Sequence, residues 1–432
     1  MRKKRFVFIS TLTLIVCIIA VMFGSANVRR SDDSNDFSFE CIKPDASFRL
    51  EDVHTANTVS FGLKHGAAIS SNGDLYTWGS NSSGQLGHGD IGSYVGTPTK
   101  VPGISDVVSI CLGDSHSTAI TASGDLYTWG SNRRGQLGYG QGWRDVQYNI
   151  TPMRVRGVPK VVSVSSSGTI TTVVTNAGEL YIWGFGGRIP RKIEDITNVA
   201  TVSRASDRDS TGAENTVAIA NNGGIYTWGA SDIAIGYRVE PHDFRRNPVW
   251  SGFRPKRVPG IKNVIAVSFG GLHVAAITSD GELYTWGVNW YGQTGHGGGT
   301  HSEVIEPTQI RDLTSVVAVS SGSIHSAAVT EEGFLYTWGF NSIGQLGYYS
   351  STYTQYGTQY TDTPTRVPGL TDVVAVSLRH HSSAAITSDG SLYTWGNTYG
   401  GILGDGIIGE KWDFRREPQK IMENVMIPNN GR

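Results

Sequence analysis

Little in this chain points to disulfides, to nucleic acid or to a surface of one charge. Three cysteines in 432 residues do not make a disulfide framework. Cys17 lies in an apolar segment, Cys41 in a linker, and Cys111 in a repeat slot held by glycine or other residues elsewhere. Lys and Arg number 36 against 37 Asp and Glu, a formal net charge of −1. That balance gives no general electrostatic grip on nucleic acid. What is plentiful is glycine, 55 residues spread through the chain at turn positions. The composition is that of a turn-dense β protein.

The first thirty residues stand apart. Arg2, Lys3, Lys4 and Arg5 precede an uncharged run from Phe6 to Phe23, and Arg29 and Arg30 follow. A basic flank before an apolar stretch is an export signal with its basic end held in the cytoplasm. The run is long for a cleavable core and just long enough to span a bilayer. Gly24-Ser25-Ala26 supplies the small residues that signal peptidase needs. Residues 1–26 are thus expected to be an apolar helix acting as signal anchor or signal peptide, with 27–47 a linker. The rest of the chain is expected outside the cytoplasm, membrane-anchored by Phe6–Phe23 or secreted after cleavage near Ala26.

From there on the chain repeats. Leu-Tyr-Thr-Trp-Gly returns seven times, with its Trp at 78, 129, 183, 228, 286, 338 and 395. Only Ile182, for Thr, and Ile225, for Leu, depart from it. A unit of about fifty residues cannot bury its own apolar face and needs a neighbour on each side. In the fifth unit, Val264–Ser268, Ala275–Thr278 and Glu282–Trp286 read as strands, and Ser279-Asp280-Gly281 as a hairpin turn. Tyr and Trp, two apart, share one strand face, where a large ring fills the gap between twisted sheets. Gly84-Gln85-Leu86-Gly87 and its counterparts follow the Trp, then a variable loop, then Thr97-Pro98-Thr99-Lys100-Val101 and its counterparts. Four short strands in each of seven units make an all-β, seven-bladed β-propeller of four-stranded antiparallel blades over residues 48–432. Glu417-Pro418-Gln419-Lys420-Ile421 matches the last strand of a unit, yet no eighth unit follows. The C-terminal strand near 417–427 is therefore expected to close the ring by completing the blade begun by Val59–Trp78. Ser47-Phe48-Arg49-Leu50 competes for that position but lacks the proline.

The series Gly-Gln-Leu-Gly, Pro-x-x-Val-x-Gly, Val-Val-x-Val and His-Ser-x-Ala-x-Thr-x-x-Gly-x-Leu-Tyr-x-Trp-Gly resembles the regulator of chromosome condensation repeat. The resemblance runs from about Phe48 to the C-terminus. Units three and four depart from it, with Phe185-Gly186-Gly187-Arg188 and Ala230-Ser231-Asp232-Ile233 where Gly-Gln-Leu-Gly is expected. It implies a seven-bladed β-propeller. For the family's namesake it implies guanine nucleotide exchange on a small GTPase, through a wedging loop that no residues here match one by one.

Three apparent sites dissolve into the repeat. Gly113-Asp114-Ser115-His116 places a nucleophile beside a base, but adjacent residues cannot form a working triad and the motif is a repeat slot. His65, His116, His273 and His325 share that slot on blades held apart, so they cannot converge on one metal, and structural hydrogen bonding is expected of them. Asp207–Gly212 starts like a calcium loop but has Ala218 where the twelfth-position acid belongs. No catalytic residue, metal or cofactor is expected.

The loops after Gly-Gln-Leu-Gly carry the functional signal. They hold Trp143, Tyr148, Trp250, Phe253, Trp290, Tyr291, Tyr349 and Trp412, in equivalent positions of successive blades. Aromatic rings on a rigid rim are typical anchors of a protein interface, although packing down on the blades would account for them as well. The expected protein is a monomeric interaction propeller displayed outside the cytoplasmic membrane. Its expected partner is an unidentified protein bound through these loops. The alternatives are exchange on a small GTPase, and glycan binding on Trp and Tyr platforms.

Overall fold

The computed structural model describes residues 57–140, 146–205, 215–229, 236, 255–298, 302–354, 356–410 and 413–428. The chain divides into two units, Met1–Phe48 and Arg49–Arg432. The first, with the expected apolar helix at Phe6–Phe23, lies outside the described residues. In the second, the described residues form seven four-stranded sheets, each built from four consecutive strands paired in sequence order. Blade 1 shows the plan, with strands Val59–Phe61, His65–Ile69, Leu75–Ser80 and Tyr94–Lys100. All its pairings are antiparallel. The other blades run from Val107 to Arg154, Val161 to Ile193, Val199 to Arg257, Val264 to Gln309, Val316 to Arg366 and Val373 to Met422.

Local sequence sets each blade. The second strand is buried along its whole length, as in His116–Thr121, because it lies between strands one and three with a blade on either side. The third strand carries the Leu-Tyr-Thr-Trp-Gly signature. Its Leu faces the following blade and its Trp the preceding one, and six of the seven tryptophans have no exposed surface. Trp228, 9% exposed, is the exception. The glycine after each Trp is needed twice over: Gly79 has φ of +97°, and a Cβ there would sit 2.5 Å from the Lys64 carbonyl oxygen. Apolar clusters then bridge consecutive blades, such as Leu75, Val101 and Val107 with Trp129.

The ring closes differently from the sequence expectation. Glu417–Ile421 does not pair with blade 1. It lies within Phe414–Met422, the fourth strand of blade 7, paired with Leu392–Asn397. Closure falls to the residues just beyond. At five of the six other junctions, all but the one at Lys160 before blade 3, the residue before the first strand has a positive φ, between 53° and 57° for Asp106, Asn198, Asn263, Ser315 and Asp372. Its carbonyl accepts the N–H of a hairpin-turn residue, as Asp106 does from Ala122 at 2.8 Å. Asn424 has the same φ, 56°, and its carbonyl accepts from Ser71 of blade 1 at 2.7 Å. Val425 then bridges Ser70, and Met426 N–H donates to Ile69 O at 2.8 Å. Asn424–Met426 thus occupies the start of a first-strand lane that Thr58–Phe61 continues, so the innermost strand of blade 1 is assembled from both ends of the propeller sequence. Blade 7 and blade 1 share one apolar cluster, with Val59, Phe61 and Trp78 against Ala384, Leu392 and Leu403.

Candidate functional site

Because strands run alternately up and down, the connections after the first and third strands all leave one face of the ring, here the loop face. The hairpin turns and the links between blades occupy the other, the turn face. The rigidity of the loop face comes from a hydrogen-bond system that joins the repeat motifs across blades. Within a blade, Thr of Leu-Tyr-Thr-Trp-Gly donates to the carbonyl of the third residue of Gly-Gln-Leu-Gly: Thr77 to Leu86 at 2.8 Å, Thr128 to Leu137 at 2.9 Å, Thr337 to Leu346 at 2.6 Å. Across the junction, the Gln carbonyl accepts the indole N–H of the next blade. Trp129 donates to Gln85, Trp183 to Gln136, Trp338 to Gln293 and Trp395 to Gln345, each at 2.9 Å. Trp78 uses Ile402 of blade 7 the same way at 2.7 Å. The last glycine of the motif lets the indole approach, since a Cβ on Gly87 would lie 2.8 Å from Trp129 Nε1. Blade 3 has no such motif, and its third-to-fourth connection shrinks to Phe185-Gly186. Ile182 replaces the threonine where there is no motif for it to hold.

The histidines belong to the same system. His65 Nε2 lies 3.1 Å from Ser117 Oγ, whose hydroxyl donates to Gln85 O at 2.7 Å. His116 with Thr171 and Gln136, His273 with Ser326 and Gln293, and His325 with Ser383 and Gln345 repeat the arrangement. Because the hydroxyl proton goes to the carbonyl, the imidazole is the donor from Nε2, which fixes the neutral tautomer. Burial, chiefly, holds His65 and His116 down to a pKa of about 3, and the nearby Arg379 charge lowers both further. Each histidine joins two blades.

The inner strands carry a second ring that the motifs do not announce. Ser60 Oγ accepts the N–H of Leu112 at 3.2 Å, Ser165 that of Arg204 at 3.0 Å, Ser203 that of Phe269 at 3.0 Å. Ser268 accepts from Ser321 at 2.9 Å and Ser320 from Leu378 at 2.8 Å. Cys111 sits in this slot and accepts from Ser166 N–H at 3.1 Å. The slot therefore belongs to serine, not to glycine or an assortment of residues, and the sulfur does a hydroxyl's work. Burial pushes the Cys111 thiol pKa up, keeping it protonated.

Of the aromatic loop residues singled out from sequence, Trp143, Trp250, Phe253 and Trp412 lie outside the described residues, as does Asp207–Gly212. Trp290 is 44% and Tyr349 64% exposed. Tyr349 Oη is 2.9 Å from Tyr353 Oη, and the Arg416 guanidinium lies 5.2 Å from its ring and 5.3 Å from that of Phe414. Tyr148 is half-buried in blade 2 with the Arg133 guanidinium 5.9 Å from its ring. Tyr291 is half-buried edge-on against Phe340 at 5.3 Å, and Phe340 lies 5.7 Å from the His381 ring. Tyr291, Phe340 and His381 thus form an aromatic stripe across blades 5, 6 and 7. Phe340 escaped the sequence reading; its slot holds Ser80, Ser131, Val288 and Asn397 in other blades, and Phe185 in blade 3. Closer to the blades, Tyr348 donates to Thr337 O at 3.0 Å, so it packs down while Tyr349 faces outward.

A closed ring of seven blades, hydrogen-bonded at its junctions and presenting aromatic side chains on one face, defines a repeat β-propeller. Its repeats match the regulator of chromosome condensation (RCC1) repeat at residues 72–120, 123–174, 280–329 and 332–386, and a second form of that repeat at 57–85, 107–136 and 264–293. The chain is 32% identical over 317 residues to the ultraviolet-B receptor UVR8 of Arabidopsis thaliana, covering 68% of each. It is 29% identical over 329 residues to the regulator of chromosome condensation of Mus musculus, covering 69% of this chain and 74% of that one. The crystal structure of Prp20p from Saccharomyces cerevisiae, studied for its binding to Gsp1p and histones, superposes with a TM-score of 0.72 at 19% identity, over 88% of this chain and 90% of that one. The chain belongs to the RCC1 repeat family.

Proposed function

We propose that the propeller works by binding a protein partner on its loop face, and that this partner is a small GTPase on which it promotes guanine nucleotide exchange. The reading is carried by the exposed aromatic rim, Trp290, Tyr349 and Tyr353 with the Tyr291–Phe340–His381 stripe, on a frame hydrogen-bonded across its blade junctions. Membership of the RCC1 repeat family supports exchange over other kinds of binding, because that is the activity of the family's namesake. Anchors of this type typically contribute 2 kcal/mol or more each when truncated, roughly thirtyfold in affinity. The test is release of a fluorescent guanosine diphosphate from a panel of small GTPases. Acceleration that falls at least about tenfold in Phe340→Ala and Tyr349→Ala, with melting temperature unchanged, is the expected result. No acceleration across the panel refutes exchange.

The run from Phe6 to Phe23 with its basic flank favours a second reading of the same face, a non-catalytic binder displayed outside the cytoplasmic membrane. Protease digestion of the propeller in intact cells decides between the two. Digestion from outside supports display, and protection until lysis supports the exchange reading.

A further inference from the structure

The turn face carries a cavity of about 680 Å³ over blades 5, 6 and 7. Its floor is apolar. Ile265, Val317 and Val374, each the second residue of a first strand, lie half-buried there. Ile427, 44% exposed, and Pro428 complete the wall just past the closing contact. Exposed carboxylates stand around this floor: Asp280 in the hairpin turn of blade 5, Glu331 and Glu332 in that of blade 6, and Asp372 on the link into blade 7. No lysine, arginine or histidine lines the cavity, and none of these acids makes an ion pair among the described residues. Elsewhere on the turn face the repeat pairs its acids with the fourth strand. Lys100 binds Asp74 at 2.7 Å, Arg154 binds Asp125 at 2.5 Å and Lys192 binds Glu179 at 2.9 Å. The slot of Asp280 and Glu332 is neutral in blades 1 to 4, held by Asn72, Ser123, Ala177 and Asn222. The unpaired charge therefore belongs to this apolar hollow and not to the repeat.

We propose that the cavity binds a small organic cation, an amine or guanidine borne on an apolar body. The body lies on the floor of Ile265, Val317 and Val374, and the charge sits among Asp280, Glu331 and Glu332. The volume is that of a ligand site, and an apolar lining with a few charged groups at its edge is the usual composition of one. An anion is repelled. A metal ion lacks converging ligands, since no three acidic, histidine or cysteine side chains among the described residues are placed to hold one. The site shares no residue with the loop face, so it stands or falls apart from the exchange reading.

Calorimetric titration of the full chain with tryptamine, an indole carrying one ammonium group, tests the site against two probes that each lack half of that chemistry. Indole-3-propionate keeps the ring and reverses the charge, and putrescine keeps the charge without the ring. Saturable binding of one tryptamine is expected, with each of the other two at least about tenfold weaker. Asp280→Asn, Glu331→Gln and Glu332→Gln together should weaken tryptamine at least about tenfold, and Ile427→Lys, which sets a like charge in the wall, by as much. Asp125→Asn, on the same face but paired with Arg154, should leave binding unchanged. These positions are exposed, so melting temperatures should hold; if the triple variant does not fold, Ile427→Lys decides alone. No saturable heat from tryptamine overturns the proposal. So does either other probe binding as tightly, or tryptamine binding that survives the variants or is lost in Asp125→Asn.

Discussion

Acidification from pH 7 to pH 5 should strip this propeller of much of its stability. The cause is the pair of junction histidines whose imidazoles are fully buried and donate from Nε2. A proton added at Nδ1 of His65 or His116 would have no acceptor among the described residues. The folded pKa of each is about 3, whereas an unfolded histidine titrates near 6.5. Below 6.5 the unfolded chain binds protons that the folded chain refuses. The stabilisation is therefore complete above that pH and drains away as pH falls toward 3. The slope is about 1.4 kcal/mol per pH unit for each histidine, or about 4 kcal/mol for the pair between pH 7 and 5. Half-buried His88 and His296, also lowered chiefly by burial, act in the same direction. A loss of that size is a large share of an ordinary domain's ~5–15 kcal/mol. Asp389, held down to about 2 by its Thr387 and Ser391 hydrogen bonds, matters only at lower pH. The assay is equilibrium urea unfolding followed by tryptophan fluorescence at half-unit steps, with His65→Asn, whose slope should be shallower by one proton. Unfolding free energies at pH 5 and 7 that agree within about 1 kcal/mol would refute the reasoning.

Two further outcomes follow from the junctions. Trp129→Ala removes a fully buried ring and its bond to Gln85, and should cost about 3–5 kcal/mol in urea unfolding. Trp228→Ala, at the junction whose preceding blade lacks the Gly-Gln-Leu-Gly motif, should cost measurably less. Val425→Asp puts an unpaired charge into the closing contact and should destabilise by more than about 3 kcal/mol, while Ile427→Asp, 44% exposed, should stay within about 0.5 kcal/mol. Thermal melts that rank the members of either pair equally would remove the basis of the assignment.

The architecture was legible because the most repeated residues are those bonded most tightly across blades. Thr, Trp, His, Ser and the Gln-bearing turn recur together as parts of one hydrogen-bond system, so repetition alone marks the blade boundaries. The serine ring was harder to see. Each serine's partner is an N–H one blade away, often about fifty residues on, and nothing local distinguishes Ser203 or Ser268 from an ordinary small residue in a strand. Closure was misplaced for a related reason. Proline drew attention to Glu417–Ile421, whereas the informative pair was Asn424-Val425, which echoes Asp106-Val107, Asn198-Val199, Asn263-Val264 and Asp372-Val373. A polar residue at positive φ followed by buried valine marks the entries to blades 2, 4, 5, 6 and 7, with blade 3, entered at Lys160-Val161, the exception. The aromatic loops divided by depth. Spacing could not separate outward Tyr349 from inward Tyr348, nor did it mark Phe340; the folded chain does both.

The composite first strand of blade 1 has a consequence for biosynthesis. Blades can stack one upon another as they leave the ribosome, but the arc becomes a ring only once Asn424–Met426 has emerged. Until then the nascent chain has two raw ends, Val59, Phe61 and Trp78 on one side and Ala384, Leu392 and Leu403 on the other. Each end is the complement of the other, whether the other belongs to the same chain or to a neighbour on the same message. Closing on itself joins the most distant parts of the sequence and comes last, so crowded synthesis favours exchanged dimers. The few residues after the last blade act as the latch that makes each molecule choose itself.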